Sequence, residues 1–186
     1  MLEELAPPSY ACGWDNPGLI CGRKEKKVKK ILIALDATKK AVEKAVEVGA
    51  DMILTHHPMI FSAVKQVNDD SFIGDKVLTM AENGICCYAM HTNYDIAGGM
   101  AEICGTKMGL LNPEPFEVMG EREDRLVGIG QVGNLPEKMT LAECAAKVKE
   151  AFGLSNVLVF GDLNRIVEYA AVSPGSGRSM IGEADK

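Results

Sequence analysis

The residues present carry no export signal of a basic start followed by an apolar core, and no apolar run is long enough to span a bilayer. A reducing, cytoplasmic location and no membrane partner are therefore expected. Six cysteines (Cys12, Cys21, Cys86, Cys87, Cys104 and Cys144) include no Cys-x-x-Cys pair and are too sparse for a disulfide scaffold. Cys86 and Cys87 fall in an apolar run, where a thiol behaves as a small hydrophobe. A basic excess is missing too: 20 Lys and Arg against 26 Asp and Glu give a net charge of −6, which argues against a general nucleic-acid binder. The basic run from Arg23 to Lys30 has no interleaved aromatics and reads as a solvated loop. No Walker A pattern occurs, and no serine or cysteine nucleophile has a recognisable base nearby.

What remains is a globular chain of 186 residues, 47% hydrophobic and 25% charged. That length holds one ordinary domain, or one and part of a second. Its three histidines are confined to two short segments, Thr55-His56-His57-Pro58 and His91-Thr92-Asn93-Tyr94-Asp95.

Both segments follow apolar runs that read as strands. Residues 30–35 form one such run, and Thr38 is a good N-cap for a helix over 39–48 that Gly49 stops. Residues 52–54 form the next strand, 75–83 a helix stopped by Gly84, and 85–90 a third strand. Alternating strands and helices imply a parallel α/β sheet flanked by helices.

Ligands on such sheets bind beyond the carboxyl ends of the strands. Asp36, His56 with His57, and His91 with Asp95 all stand there. Pro58 keeps His57 extended at the strand end, so the two imidazoles are able to face two neighbouring metals, which Asp95 then bridges. Imidazole with carboxylate suits zinc, iron, manganese or nickel, and two-metal hydrolytic centres hold their ions about 3.5–4 Å apart. The expected ligands are thus His56, His57 and Asp95. His91 is either a further ligand or an orienting group, and Asp36 is a weaker candidate because Asp-x-Thr after a strand is a common helix entry.

The second part of the chain is expected to begin after Pro113, Pro115 and the charged loop over 121–125. The division is placed at 1–120 and 121–186. Residues 125–132 alternate as a strand, Thr140 and Glu143 make a capping box for a helix to about Phe152, and 166–172 is a strand. Gly128-Ile129-Gly130-Gln131-Val132-Gly133 fits Gly-x-Gly-x-x-Gly, but no helix opens after it, so it reads as a glycine-rich strand rather than a dinucleotide fingerprint. Gly175, Ser176, Gly177 and Arg178 lie between that last strand and a helix start at 179–181. They are either a phosphate cradle or a tight turn.

Four motifs in order (Trp14-Asp15-Asn16-Pro17-Gly18-Leu19, the Thr55 to Phe61 segment after Gly49-Ala50-Asp51, the His91 to Asp95 segment before Gly98-Gly99, and Ser173-Pro174-Gly175-Ser176-Gly177) resemble the Nif-three-like family, also known as GTP cyclohydrolase I type two. The resemblance runs over essentially the whole chain. It implies two related α/β lobes with mixed, mostly parallel sheets, a dinuclear metal centre using His56, His57 and Asp95, and a hexameric ring of dimers. The family's other ligands, a histidine and a glutamate in its last segment, have no counterpart here, and Cys12-Gly13 replaces an acidic residue. A shortened member, its second lobe incomplete at the C-terminal end, is expected.

Three function classes fit. The first is a metal-dependent hydrolase acting on a nucleotide or phosphoester, with GTP ring opening suggested by the family name. The second is a metal-binding or regulatory protein without turnover, and the third a ring-forming scaffold. The supply of general acids and bases is thin, with Asp15 and Asp36 the available substitutes, so this chain is expected to be weakly active or inactive as it stands.

Overall fold

The computed structural model describes residues 1–177 together with Met180 and Gly182. Two compact units divide the chain, Met1–Tyr94 and Asp95–Lys186.

In the first unit a short helix α1 (Leu2–Leu5) precedes β1 (Gly18–Cys21), β2 (Ile31–Ala34), α2 (Lys39–Glu47), β3 (Met52–Thr55), α3 (Phe72–Glu82) and β4 (Cys86–Ala89). The sheet order is β1-β4-β3-β2. Strands β2, β3 and β4 are parallel, and β1 is antiparallel to β4, so the sheet is mixed. Thr38 caps α2 through its side chain, which accepts from the amide of Ala41, as its sequence position predicts. Helix α3 starts at Phe72 rather than at 75, because Ser71 accepts from the Gly74 amide and opens the helix a turn earlier. Val42 and Ala45 of α2, Met80 of α3, and Ile53 and Cys87 of the sheet share one buried core. Cys86 and Cys87 are buried as small hydrophobes, and burial pushes the Cys87 thiol up to about 12.

The register sets up the site. Ala34, Thr55 and Ala89 lie side by side at the carboxyl ends of the three parallel strands, and Gly18, the first residue of β1, pairs with Ala89. Whatever follows those ends, or precedes β1, therefore meets at one edge.

A helix α4 (Thr92–Ile96) spans the junction of the two units. The second unit continues with α5 (Met100–Met108), β5 (Leu111–Arg122), β6 (Arg125–Thr140), α6 (Leu141–Phe152) and β7 (Ile166–Val172). Its sheet, β5-β6-β7, is antiparallel. The stretch around Pro113 and Pro115, expected to precede the second part of the chain, belongs to strand β5, and the boundary expected at 120/121 falls inside that strand. Both prolines are tolerated because β5 is an edge strand with an irregular register between Leu111 and Glu114. Glu123 and Asp124, with φ of 51° and 61°, make the two-residue hairpin turn that joins β5 to β6.

The Gly128 to Gly133 segment lies within β6. A side chain at Gly128 would meet the Glu117 carbonyl at 1.9 Å, so that glycine serves close strand packing. The Thr140 and Glu143 capping box forms as expected at the start of α6. Of the turn after β7, Gly175, Ser176 and Gly177 are described. Arg178, and Ser179 and Ile181 of the expected helix, lie outside the described residues. Among the described residues no helix is long and apolar enough to cross a membrane.

Candidate metal centre

Thr55 ends β3 with its hydroxyl donating to the His57 carbonyl at 2.9 Å, while the amides of His56 and His57 both donate to the Leu35 carbonyl, at 3.2 and 3.1 Å. These bonds fold the His-His pair over the end of β2. At the end of β4, the His91 amide donates to Asn93 Oδ1 at 2.9 Å, and the fully buried Asn93 side chain donates in turn to the Ala6 carbonyl at 2.8 Å. Both histidine segments are thus pinned by polar contacts, some of them to residues distant in sequence.

The three imidazoles come together. His56, His57 and His91 each offer a ring nitrogen within 4.8 Å of the others. Their ring centroids are 4.9 Å apart for His56 and His57, 5.1 Å for His56 and His91, and 5.5 Å for His57 and His91. Asp95, expected as a ligand, is not one of the three and stands on α4. His91, expected as a ligand or an orienting group, is a full member.

Each ring is held through Nδ1. His56 Nδ1 lies 2.9 Å from the Met90 carbonyl, His57 Nδ1 2.8 Å from Asp36 Oδ1, and His91 Nδ1 2.7 Å from Asp15 Oδ1. A carbonyl or carboxylate accepts only from N–H, so each Nδ1 carries a proton, and a neutral ring so held has its lone pair on Nε2. A hydrogen-bond acceptor behind the ring is what prepares a histidine for a metal. Asp36, a weaker candidate in the sequence, is in contact with His57 Nδ1 and is not one of the three clustered residues.

Asp15 is the most heavily bonded of the orienting groups. Its side chain has no exposed surface. It accepts from the Thr92 hydroxyl at 2.5 Å, the Thr92 amide at 3.1 Å and the Asn16 amide at 2.8 Å, in addition to His91. Burial alone raises a carboxyl, but the Thr92 hydroxyl, His91 and the two backbone amides outweigh it and hold Asp15 below its ordinary range. The Thr92 hydroxyl in turn accepts from the Cys12 amide at 3.0 Å. Sequence reasoning named Asp15 only as a substitute proton carrier. The signal that it missed is position: Asp15 lies just before β1, the strand that runs antiparallel beside β4.

In their neutral form, three imidazoles so held would fit a borderline divalent ion such as zinc, for which three protein nitrogens are a common donor set. The trio could hold a metal ion.

Comparisons with known proteins agree in both sequence and fold. A "GTP cyclohydrolase 1 type 2 homolog" of Clostridium perfringens is 36% identical over 192 residues, spanning 100% of this chain and 71% of that protein. A Staphylococcus aureus hypothetical protein of known structure superposes with a TM-score of 0.87 at 27% identity, over 99% of this chain and 72% of the other. A Bacillus cereus protein related to NIF3 gives 0.88 at 23% identity, over 99% and 77%, and speaks for the fold alone. The profile of one family matches residues 1–186, so the chain belongs to the Duf34/NIF3 (NGG1p interacting factor 3) family.

Proposed function

We propose that this chain is a metal-dependent hydrolase that acts on a nucleotide or phosphoester. The observation that carries the reading is the trio itself: three imidazoles, each held through Nδ1, with a ring nitrogen of each within 4.8 Å of the others at the carboxyl edge of the sheet. A divalent ion there supplies Lewis acidity towards a carbonyl or phosphoryl oxygen and makes hydroxide available near neutral pH. His56, His57 and His91 bind it; the Met90 carbonyl, Asp36 and Asp15 set their tautomers and keep the rings from turning. The nucleotide enters through the name of the relatives, the second ion, Asp95 as its ligand, and a hexameric homo-oligomer enter through the family resemblance, and a cytoplasmic location through the sequence composition.

A non-catalytic metal-binding protein is the second reading, favoured by one observation. Two carboxylates that touch the trio, Asp15 and Asp36, are already engaged with imidazoles, which suits orientation better than proton carriage.

Elemental mass spectrometry on protein purified without added metal or chelator tests the metal, and hydrolysis of GTP and of p-nitrophenyl phosphate tests the chemistry. One or two transition-metal ions per chain, lost together with turnover in the His56→Ala, His57→Ala double variant, are expected. Unchanged metal content in that variant overturns the ligand assignment. Full metal content without turnover selects the second reading.

A further inference from the structure

Two large aromatic side chains stand in solvent beside the histidines. Trp14, the chain's one tryptophan, is 62% exposed and Phe61 is 53% exposed. Their ring centroids are 6.0 Å apart at 55°, and Trp14 meets His91 nearly edge-on at 6.1 Å and 76°. Neither belongs to a buried core.

The pair is nonetheless held in place. Trp14 adjoins Asp15, whose buried carboxylate is fixed to Thr92 and His91. Phe61 follows Ile60, whose carbonyl accepts from Asn16 Nδ2 at 2.8 Å. The loop before β1 and the loop after β3 are thereby tied to each other and to the same polar network that orients the trio. An exposed aromatic surface, positioned by hydrogen bonds and one ring's breadth from metal-ready imidazoles, has the properties of a recognition element: an apolar body to stack on and a polar centre beside it.

We propose that Trp14 and Phe61 form a stacking platform for a planar heteroaromatic ring, a nucleobase, carried by the ligand whose polar end meets the trio. The inference rests on the metal-site reading and narrows its ligand from phosphoesters at large to nucleotides. Every base has a π-face, so the platform favours a base over no base without choosing strongly among bases. Specificity for the polar end then falls to the ion and the imidazoles.

The sole tryptophan is its own reporter. The full chain, with and without one equivalent of zinc, is titrated with guanosine 5′-monophosphate and, separately, ribose 5-phosphate, following Trp14 emission and calorimetric heat. The expected result is quenching by the nucleotide alone and an affinity about tenfold above that of ribose 5-phosphate, the lower part of the range for one base on one aromatic ring. Phe61→Ala should remove most of that difference while leaving zinc content and ribose 5-phosphate affinity unchanged, and Trp14→Leu, followed by calorimetry, should do the same. Equal affinities for the two probes, or equal losses for both in the variants, overturn the platform. So does a concentration-dependent blue shift of Trp14 emission without any response to nucleotide, which would make the pair a contact between copies. Absence of zinc binding with base-dependent quenching intact sinks the metal reading and leaves the platform standing.

Discussion

At the residue scale the orienting carboxylates are unequal, and the inequality is measurable. Asp15 is buried and accepts four hydrogen bonds, whereas the Asp36 side chain is half exposed and its contact with His57 is screened by water. Asp15→Asn should therefore weaken zinc binding by about 10–100-fold, the usual cost of losing an orienting partner, and Asp36→Asn by clearly less. Competition against a chelator of known affinity gives both numbers, and equal losses would show that burial does not set the ranking. The three histidines were legible because so few residues of that type fell at so few strand ends. Asp15 was not, because its partners His91 and Thr92 lie 76 and 77 residues away in sequence. The Met90 carbonyl that holds His56 was invisible in principle, since every residue has one.

At the scale of single elements, local chemistry was readable and edge context was not. The capping box of α6 follows from Thr140 and Glu143 alone, and Thr140→Ala should cost about 1 kcal/mol in urea unfolding. Strand β5 was hidden by Pro113 and Pro115, which only an edge position and a register shift make acceptable. The entry to β2 carries a pH signature. Asp51 accepts from the Lys29 and Lys30 amides, and those bonds, with Lys26, hold its carboxyl below the ordinary range. A depressed folded-state value means that stability is present at neutral pH and lost as pH falls through that value. The difference in Tm between the native protein and Asp51→Asn should be present at pH 7 and shrink in acid; a constant difference would deny the ion its part. Within β4, the Cys87 thiol at about 12 should resist iodoacetamide at pH 8 in the native state and react in denaturant, as peptide mass spectrometry would record.

At the scale of the whole molecule, the chain comprises two units, and all three histidines belong to the first. An ion that binds only the folded form stabilises by mass action, by about 2.7 kcal/mol at one hundred times its Kd. Zinc should raise the Tm accordingly and slow amide exchange around residues 35, 56–57 and 90–92. An unchanged Tm at saturating zinc would mean that the ion also binds the unfolded chain. The alternating strands and helices of the first unit were visible in the sequence because each carries its own period and cap. The antiparallel sheet of the second was only partly so, because pairing between distant strands leaves no local mark.

The level alignment of Ala34, Thr55 and Ala89 ties chemistry to strand register in a way that constrains how the chain is able to change. A residue inserted within Met52–Thr55 would shift the register of β3 by one and carry His56 and His57 off the Leu35 carbonyl that seats them at the strand end. The same insertion further along, between Phe61 and α3, would leave both rings where they are. Tolerance to length variation should therefore be sharply uneven along the first unit, and a library of single-residue insertions scored for zinc retention would trace the three strand ends as a line of intolerance.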